Sequence, residues 1–431
     1  MRVRFIYPRF ARHAEAHPEL LECVPCNEYL GPPSLGIACL AAITPKSWEI
    51  EFRDDRVEDV GLDDPPDLVA ISTFTPSAMR AMELGDLFRA AGSQVVIGGI
   101  FPTMRPDEVA LHADAVVVGE GEMVWPMVLA DAAKKKLQPR YEATVLADLS
   151  TLPLPRVDLY LDREGPKYAP DDYPVQLSRG CPMKCVACAL PKSMGKALRM
   201  YPNEHVLGQI RQLGKRGKRS SLTEDTSFFP SSAVQRALGE VCDTLAAEDG
   251  EASISYVGIS MPLILTTSSA FLTRIRKAGV KMFYLVGGFD PITRNAFTGK
   301  DPKAWQRGVD AIQKCHDHDI EPYTSFFVGN DADDVGTFER MVEFGNKTKI
   351  AKAEFAIRTP YPGTPDWYEL EAAGRILHTD WSKYNDANVV FQPAQMSPER
   401  LLEGYLYLWR EFYKPRGALA GVDQAARTIQ F

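Results

Sequence analysis

Short apolar runs, each followed by a longer amphipathic stretch, recur through most of the chain. In the first part "VRFIYP", "WEIEFRD", "DLVAIS", "QVVIGG" and "DAVVVG" read as strands, several of them apolar on both faces. Helical patterns begin between them, near Ser34, Pro76, Pro106 and Gly121. This alternation predicts an α/β fold with a doubly wound, Rossmann-like parallel sheet over residues 1–140. Ligands in such sheets bind beyond the carboxyl ends of the strands, so the loops there are the candidate sites. Ser72 and Thr73 follow the third strand and offer hydrogen bonds. Gly98 and Gly99 follow the fourth, where a bulky flat ligand needs close backbone approach.

A polar, proline-rich stretch from Leu149 to Pro174 marks a linker, assigned to residues 141–173. A second alternation follows. Its strand candidates are "VQLSR", "SSLTE", "SISYVGI", "KMFYLVG", "PYTSFFVG" and "AEFAIRT". Helices are expected near 203–216, 231–248, 267–278, 303–318 and 335–348. Six such repeats predict a partial or complete parallel barrel over residues 174–370, with its chemistry at the carboxyl ends of the strands. Residues 371–431 read as a helical extension with an aromatic-rich segment, "LLEGYLYLWREFY", and no catalytic constellation.

Composition narrows the classes. With 431 residues, 45% hydrophobic and 25% charged, the chain has the balance of a water-soluble globular protein of several domains. A net charge of −8 argues against a broad nucleic-acid surface. The basic runs Lys134–Lys136 and Lys215–Arg219 sit at predicted helix ends and read as solvated charge. No apolar stretch is long enough to span a bilayer, and "MRVRFIYP" lacks the apolar core of a secretory leader. The expectation is a cytoplasmic protein, in which clustered thiols suggest a metal before a disulfide.

Such a cluster exists. "SRGCPMKCVACAL", Ser178–Leu190, spaces Cys181, Cys185 and Cys188 as C-x₃-C-x₂-C, just after the first predicted barrel strand. Thiolates are the natural ligands of iron–sulfur clusters and zinc, but a structural zinc site usually takes four ligands. Cys39, Cys242 and Cys315 lie on apolar helical stripes and read as core. An iron–sulfur cluster with one open iron is the leading reading, beside zinc or an inert loop. Cys23 and Cys26, in "LLECVPCNEYLGPPS", would suit a soft, thiophilic species, or are plain loop cysteines. "HDHD", His316–Asp319, ends a surface helix and reads as solvated charge.

The cysteine motif after strand one of a βα barrel resembles that of the radical S-adenosylmethionine (radical SAM) superfamily. The resemblance implies that the three cysteines hold a [4Fe–4S] cluster. The open iron would chelate the amino and carboxylate groups of S-adenosylmethionine, and an electron from the cluster would cleave the sulfonium. "SLTEDTSFFP" is similar to the "DD-x-F" stretch of the cobalamin-binding class. It would place Glu224 and Asp225 near the amino group, unless they form an exposed turn with a helix cap. "RTPYPGTPDWYEL" is similar to "P-x-PGT-P", implying a turn at Pro362–Thr364 and an Arg358 on the rim that meets a carboxylate. The class often ends strand four in Gly-x-Glu-Ser, whereas Gly287–Asp290 reads "GGFD".

"PPSLGIACLAA", "GGIFPTMRPDEV" and "DAVVVGEGE" resemble the N-terminal cobalamin-binding domain of the same class. The cobalt-ligating histidine of D-x-H-x-x-G is absent from "RDDRVEDVG", and Phe101 replaces the histidine of "GG-x-HPT". Cobalamin binding and a domain retained as scaffold both stay open. The resemblance implies transfer of a group derived from S-adenosylmethionine to a small-molecule acceptor, most often methyl to carbon, with a reductant such as flavodoxin or ferredoxin. One alternative is transfer of its 3-amino-3-carboxypropyl portion to trivalent arsenic, as in the radical SAM protein of arsinothricin biosynthesis, with Cys23 and Cys26 holding the arsenic. Another is a non-catalytic iron–sulfur or cobalamin carrier.

Overall fold

The computed structural model describes residues 1–22, 31–165, 168–222, 231–248, 250, 252–286 and 291–416. Its N-terminal part is a parallel sheet of six strands: β1 (Arg2–Tyr7), β2 (Glu49–Asp54), β3 (Leu68–Ser72), β4 (Gln94–Gly98), β5 (Ala115–Val118) and β6 (Arg140–Glu142). The spatial order is β2-β1-β3-β4-β5-β6. The winding direction reverses between β1 and β3, where a ligand crevice opens in doubly wound sheets. Alternate side chains divide between two cores. Phe5, Leu68, Ala70, Val96 and Val117 pack under the helices Leu35–Ile43 and Trp125–Ala133. Ile6, Val69, Ile71, Val95 and Ile97 face the opposite way, against the helix Ala78–Ala90 and the returning C-terminal segment at Trp367, Trp381 and Tyr384. Burial on both faces is why these strands read as continuous apolar runs.

β7 (Asp172–Pro174) starts the second sheet. The chain then forms a two-stranded antiparallel ribbon of β8 (Ser178–Arg179) and β9 (Arg199–Met200). Between the ribbon's strands lies the cysteine loop. Then come β10 (Arg219–Leu222), β11 (Ile254–Ile259), β12 (Met282–Leu285), β13 (Glu321–Val328) and β14 (Lys352–Ile357). With β7 they make a six-stranded, all-parallel curled sheet in the order β14-β13-β12-β11-β10-β7, a half-barrel. The first barrel strand is displaced from its expected place at Val175–Arg179. Ladder pairing to β10 runs over Asp172–Pro174, while Ser178 and Arg179 pair with Met200 and Arg199. Proline and aspartate are depleted in strands and tolerated on an edge, which is where β7 lies.

The C-terminal helix Pro398–Tyr413 closes the outer face. Its Trp409 meets the Phe355 ring edge-on at 5.3 Å, and Tyr413 Oη donates to the Ala353 carbonyl at 2.6 Å.

Candidate functional site

The cysteine loop is fixed at its root. Gly180 has φ +84°, and a Cβ there would stand 2.1 Å from the Ala197 carbonyl oxygen. Only glycine fits that combination. The Cys181 amide donates to the Gly195 carbonyl at 3.0 Å, which closes the loop. Cys181 is buried, and Cys185 and Cys188 are half-buried. The three thiols interact: burial, then the neighbouring Cys181, raises the thiol pKa of Cys185, and burial, with smaller contributions from Cys185 and Cys181, raises that of Cys188. Among the described residues no three His, Cys, Asp or Glu side chains converge on a point that would hold a single metal ion.

Beyond the carboxyl ends of β1, β3, β4 and β5 lies a cavity of about 490 Å³. Ser72, Thr73, Gly98 and Gly99 all line it. Gly99 has φ +114°, and a Cβ there would lie 2.3 Å from the Thr73 carbonyl oxygen, so the backbones after β3 and β4 meet directly. Gly36, Gly119 and Gly121 complete a floor without side chains, which suits a broad flat ring. The opposite wall comes from the cysteine loop itself, at Leu190, Ser193 and Met194.

Two buried ion pairs join these walls. Glu122, after β5, takes a hydrogen bond from Arg179 Nη1 at 2.7 Å. Glu120 is held by Arg199 of β9 at 2.6 and 2.9 Å, and Arg199 also donates to the Met194 carbonyl at 2.9 Å. In the loop "RDDRVEDVG", Arg56 stands where a histidine would follow the Asp-x pair. Its guanidinium is clasped by Asp54 at 2.7 Å and stacks 4.6 Å from the Tyr7 ring. A guanidinium has no lone pair to offer a metal, so this residue cannot ligate one. Phe101 is fully buried against Trp381, with ring centroids 5.5 Å apart.

A second cavity, of about 460 Å³, fills the mouth of the half-barrel and shares Tyr7 and Phe74 with the first. Inward-facing Tyr256, Tyr284, Tyr323 and Glu354 line it. Tyr284 Oη donates to Glu354, and Tyr323 Oη donates to its other oxygen at 3.2 Å. Burial raises the Glu354 carboxyl above its ordinary range. Asp386 enters from the C-terminal return, accepts from Tyr361 Oη at 2.9 Å, and has its pKa pushed up to about 6 by burial. Asn385 and Asp386, from the C-terminal extension, thus line this cavity. Glu354 left a signal in the sequence, an acid inside the apolar strand "AEFAIRT". Asp386 left none.

Arg358 meets carboxylates, but they belong to the chain. It pairs with Asp366 and with Asp331 at 3.0 Å and lines neither cavity, so the structure does not bring it to a cofactor. Pro362–Thr364 form the expected turn, with Gly363 at φ +80° and Thr364 capping the helix Pro365–Ala372. Cys39, Cys242 and Cys315 are buried in the core. Glu224, Asp225, Cys23, Cys26 and the "GGFD" stretch lie outside the described residues. No described helix is long and apolar enough to cross a membrane.

Residues 29–128 match the B12 binding domain family. The chain is 29% identical over 391 residues to bacteriochlorophyllide d C-12(1)-methyltransferase of Chlorobaculum tepidum, covering 88% of this chain and 82% of the relative. It is 27% identical over 412 residues to bacteriochlorophyllide d C-8(2)-methyltransferase of the same organism, covering 89% and 88%. In fold it is similar to the radical S-adenosylmethionine methyltransferase TsrM from Kitasatospora setae, solved with cobalamin and a [4Fe–4S] cluster. The TM-score is 0.68 at 15% identity, covering 95% of this chain and 88% of that one. The chain thus carries a B12-binding domain, joins it to a curled half-barrel, and is an enzyme of the transferase class.

Proposed function

We propose that this chain, a radical SAM enzyme of the class with an N-terminal B12-binding domain, moves a methyl group from S-adenosylmethionine to a carbon atom of a small-molecule acceptor. The observation that carries the reading is the shared architecture of the two cavities. The glycine-floored sheet cavity is walled by the cysteine loop and adjoins the barrel cavity at Tyr7 and Phe74.

When bound, a [4Fe–4S] cluster supplies the electron that cleaves a sulfonium, and cobalamin supplies a carrier for methyl. The chain's own groups do the holding. Cys181, Cys185 and Cys188 are the cluster ligands. Gly98 and Gly99 would leave room for cobalamin, and Ser72 and Thr73 would offer it hydrogen bonds. Glu224 and Asp225 receive the ammonium of S-adenosylmethionine.

Anaerobic reconstitution with iron, sulfide and cobalamin, followed by product analysis, tests the reading. Methyl transfer gives S-adenosylhomocysteine together with 5′-deoxyadenosine. Formation of 5′-methylthioadenosine instead would overturn it in favour of aminocarboxypropyl transfer. Alanine at any of the three loop cysteines should abolish the cluster absorbance near ~400 nm and all cleavage of S-adenosylmethionine.

A further inference from the structure

The barrel cavity has a charge pattern that methyl transfer alone does not require. Besides its tyrosines, five charged or titratable side chains face it: Arg12, His13, Arg56, Glu354 and Asp386. Arg12 is paired with Glu15 at 2.7 Å and Arg56 with Asp54 at 2.7 Å. Burial holds His13 neutral near pH 7, with its pKa lowered to about 4. Glu354 and Asp386 are different. Among the described residues their side-chain hydrogen-bond donors are hydroxyls, from Ser325, Tyr284 and Tyr323 for the one and Tyr361 and Thr359 for the other, and no lysine or arginine offsets either. Two acids line one partly dry cavity, and Glu354 adds to the cost of ionising Asp386; a cation or strong N–H donor beside them offsets that cost. An anionic ligand would lie beside two acids and would have to compete with Glu15 and Asp54 for the two described arginines.

Much of the remaining wall is aromatic. Tyr284 and Tyr323 stand 5.4 Å apart with tilted rings, and Tyr7, Phe10 and Phe74 close the side toward the sheet cavity. Such a wall receives a flat ring and stabilises an adjacent ammonium through its ring faces. The volume lies in the range that encloses a small molecule.

We propose that the acceptor is an aromatic or heteroaromatic molecule bearing a protonated amine or comparable N–H donor, with its nitrogen at Glu354 and Asp386 and its ring on the tyrosine wall. This rests on the methyl-transfer reading for its use and on the cavity alone for its chemistry. The two residues are binding residues for the acceptor. The nitrogen group anchors the molecule at the β14 side and leaves its far edge toward Tyr7 and Phe74, the wall shared with the sheet cavity.

The test uses the full, reconstituted protein and three probes of one size: tyramine, 3-(4-hydroxyphenyl)propionate and 4-ethylphenol. Anaerobic calorimetry near neutral pH should show saturable tyramine binding, about tenfold or more tighter than the propionate. Glu354→Gln and Asp386→Asn should each weaken tyramine by about tenfold while leaving 4-ethylphenol binding and the cluster absorbance unchanged. Where Glu354→Gln does not fold, Asp386→Asn and Tyr361→Phe carry the comparison. Equal or tighter binding of the propionate, tyramine affinity unchanged in the folded variants, or no saturable binding of any probe overturns the proposal. Cleavage of S-adenosylmethionine by the same preparations reports separately on the methyl-transfer reading. Intact cleavage without the amine preference removes the acceptor class alone, and absent cleavage removes the reading beneath it.

Discussion

Gly180 shows how little separates a cysteine loop that holds a cluster from one that does not. An alanine there must adopt a left-handed backbone, at a cost of about 1–2 kcal/mol, and must also displace the Ala197 carbonyl. The loop should yield before the barrel does. Gly180→Ala is expected to leave the far-ultraviolet circular dichroism unchanged and to cut iron per chain severalfold; full iron loading would show that the root is not rigid. Asp172 begins β7. It is buried, and that burial pushes its carboxyl from 3.8 up to about 7, partly countered by Arg219. Below about pH 4 the carboxyl is protonated folded or unfolded, and the group is neutral to stability. Between about pH 4 and 7 the unfolded chain releases its proton first, so stability falls as pH rises. Asp172→Asn should match the parent near pH 4 and exceed it by at most about 4 kcal/mol at about pH 8. Denaturant midpoints across that range measure it, and parallel profiles for parent and variant would remove Asp172 from the account.

At the level of elements, close packing between helices rests on single missing methyl groups. Gly404, on the C-terminal helix, admits the Phe338 ring of the helix Thr337–Lys347; a Cβ would lie 2.1 Å from that ring. Gly404→Ala should cost about 1–3 kcal/mol through forced repacking, read as a lower denaturation midpoint with faster proteolysis after residue 397. An unchanged midpoint would mean the ring simply swings aside. These helices were legible in the sequence because each has one apolar stripe: the expected 303–318 is found as Pro302–His316, capped by Asp301. Central strands were legible for their apolar runs. The edge strands were not. β6 is "RYE" and straddles the expected boundary between residues 140 and 141, and β7 is "DYP". Edge strands have one pairing partner and partial burial, so they carry neither the run nor the alternation that sequence reading depends on.

At the level of the whole molecule, the two cavities are assembled by contacts between segments far apart in the chain, which is why lining residues such as Asp386 were invisible beforehand. Asp386 reaches the barrel mouth only because the C-terminal return is pinned to the first sheet. Trp381 Nε1 donates to Glu108 at 2.6 Å, Arg105 lies 5.2 and 5.4 Å from the Trp367 and Trp381 rings, and Asn385 donates to the Ala11 carbonyl at 2.9 Å. Nothing local in "KYNDANVV" encodes that neighbourhood. The cysteine motif, by contrast, was legible because its chemistry is written within a single loop. The joint between sheet and cysteine loop decides whether the two act together, and its centre is Glu120 with Arg199. Glu120 is buried and also accepts from the Ala147 amide at 2.8 Å, so it ties β5, the linker and the cysteine loop in one group. Removing one partner leaves a buried charge unpaired, which costs about 3–5 kcal/mol, whereas replacing both by neutral groups of similar size costs far less. Glu120→Gln should therefore lower the unfolding midpoint and the cobalamin retained after gel filtration. Adding Arg199→Met to it should restore much of the stability without restoring cobalamin retention, because the loop wall has lost its tether to β5. A double variant whose losses are the plain sum of the single ones would show that the pair is not coupled and that other contacts set the joint.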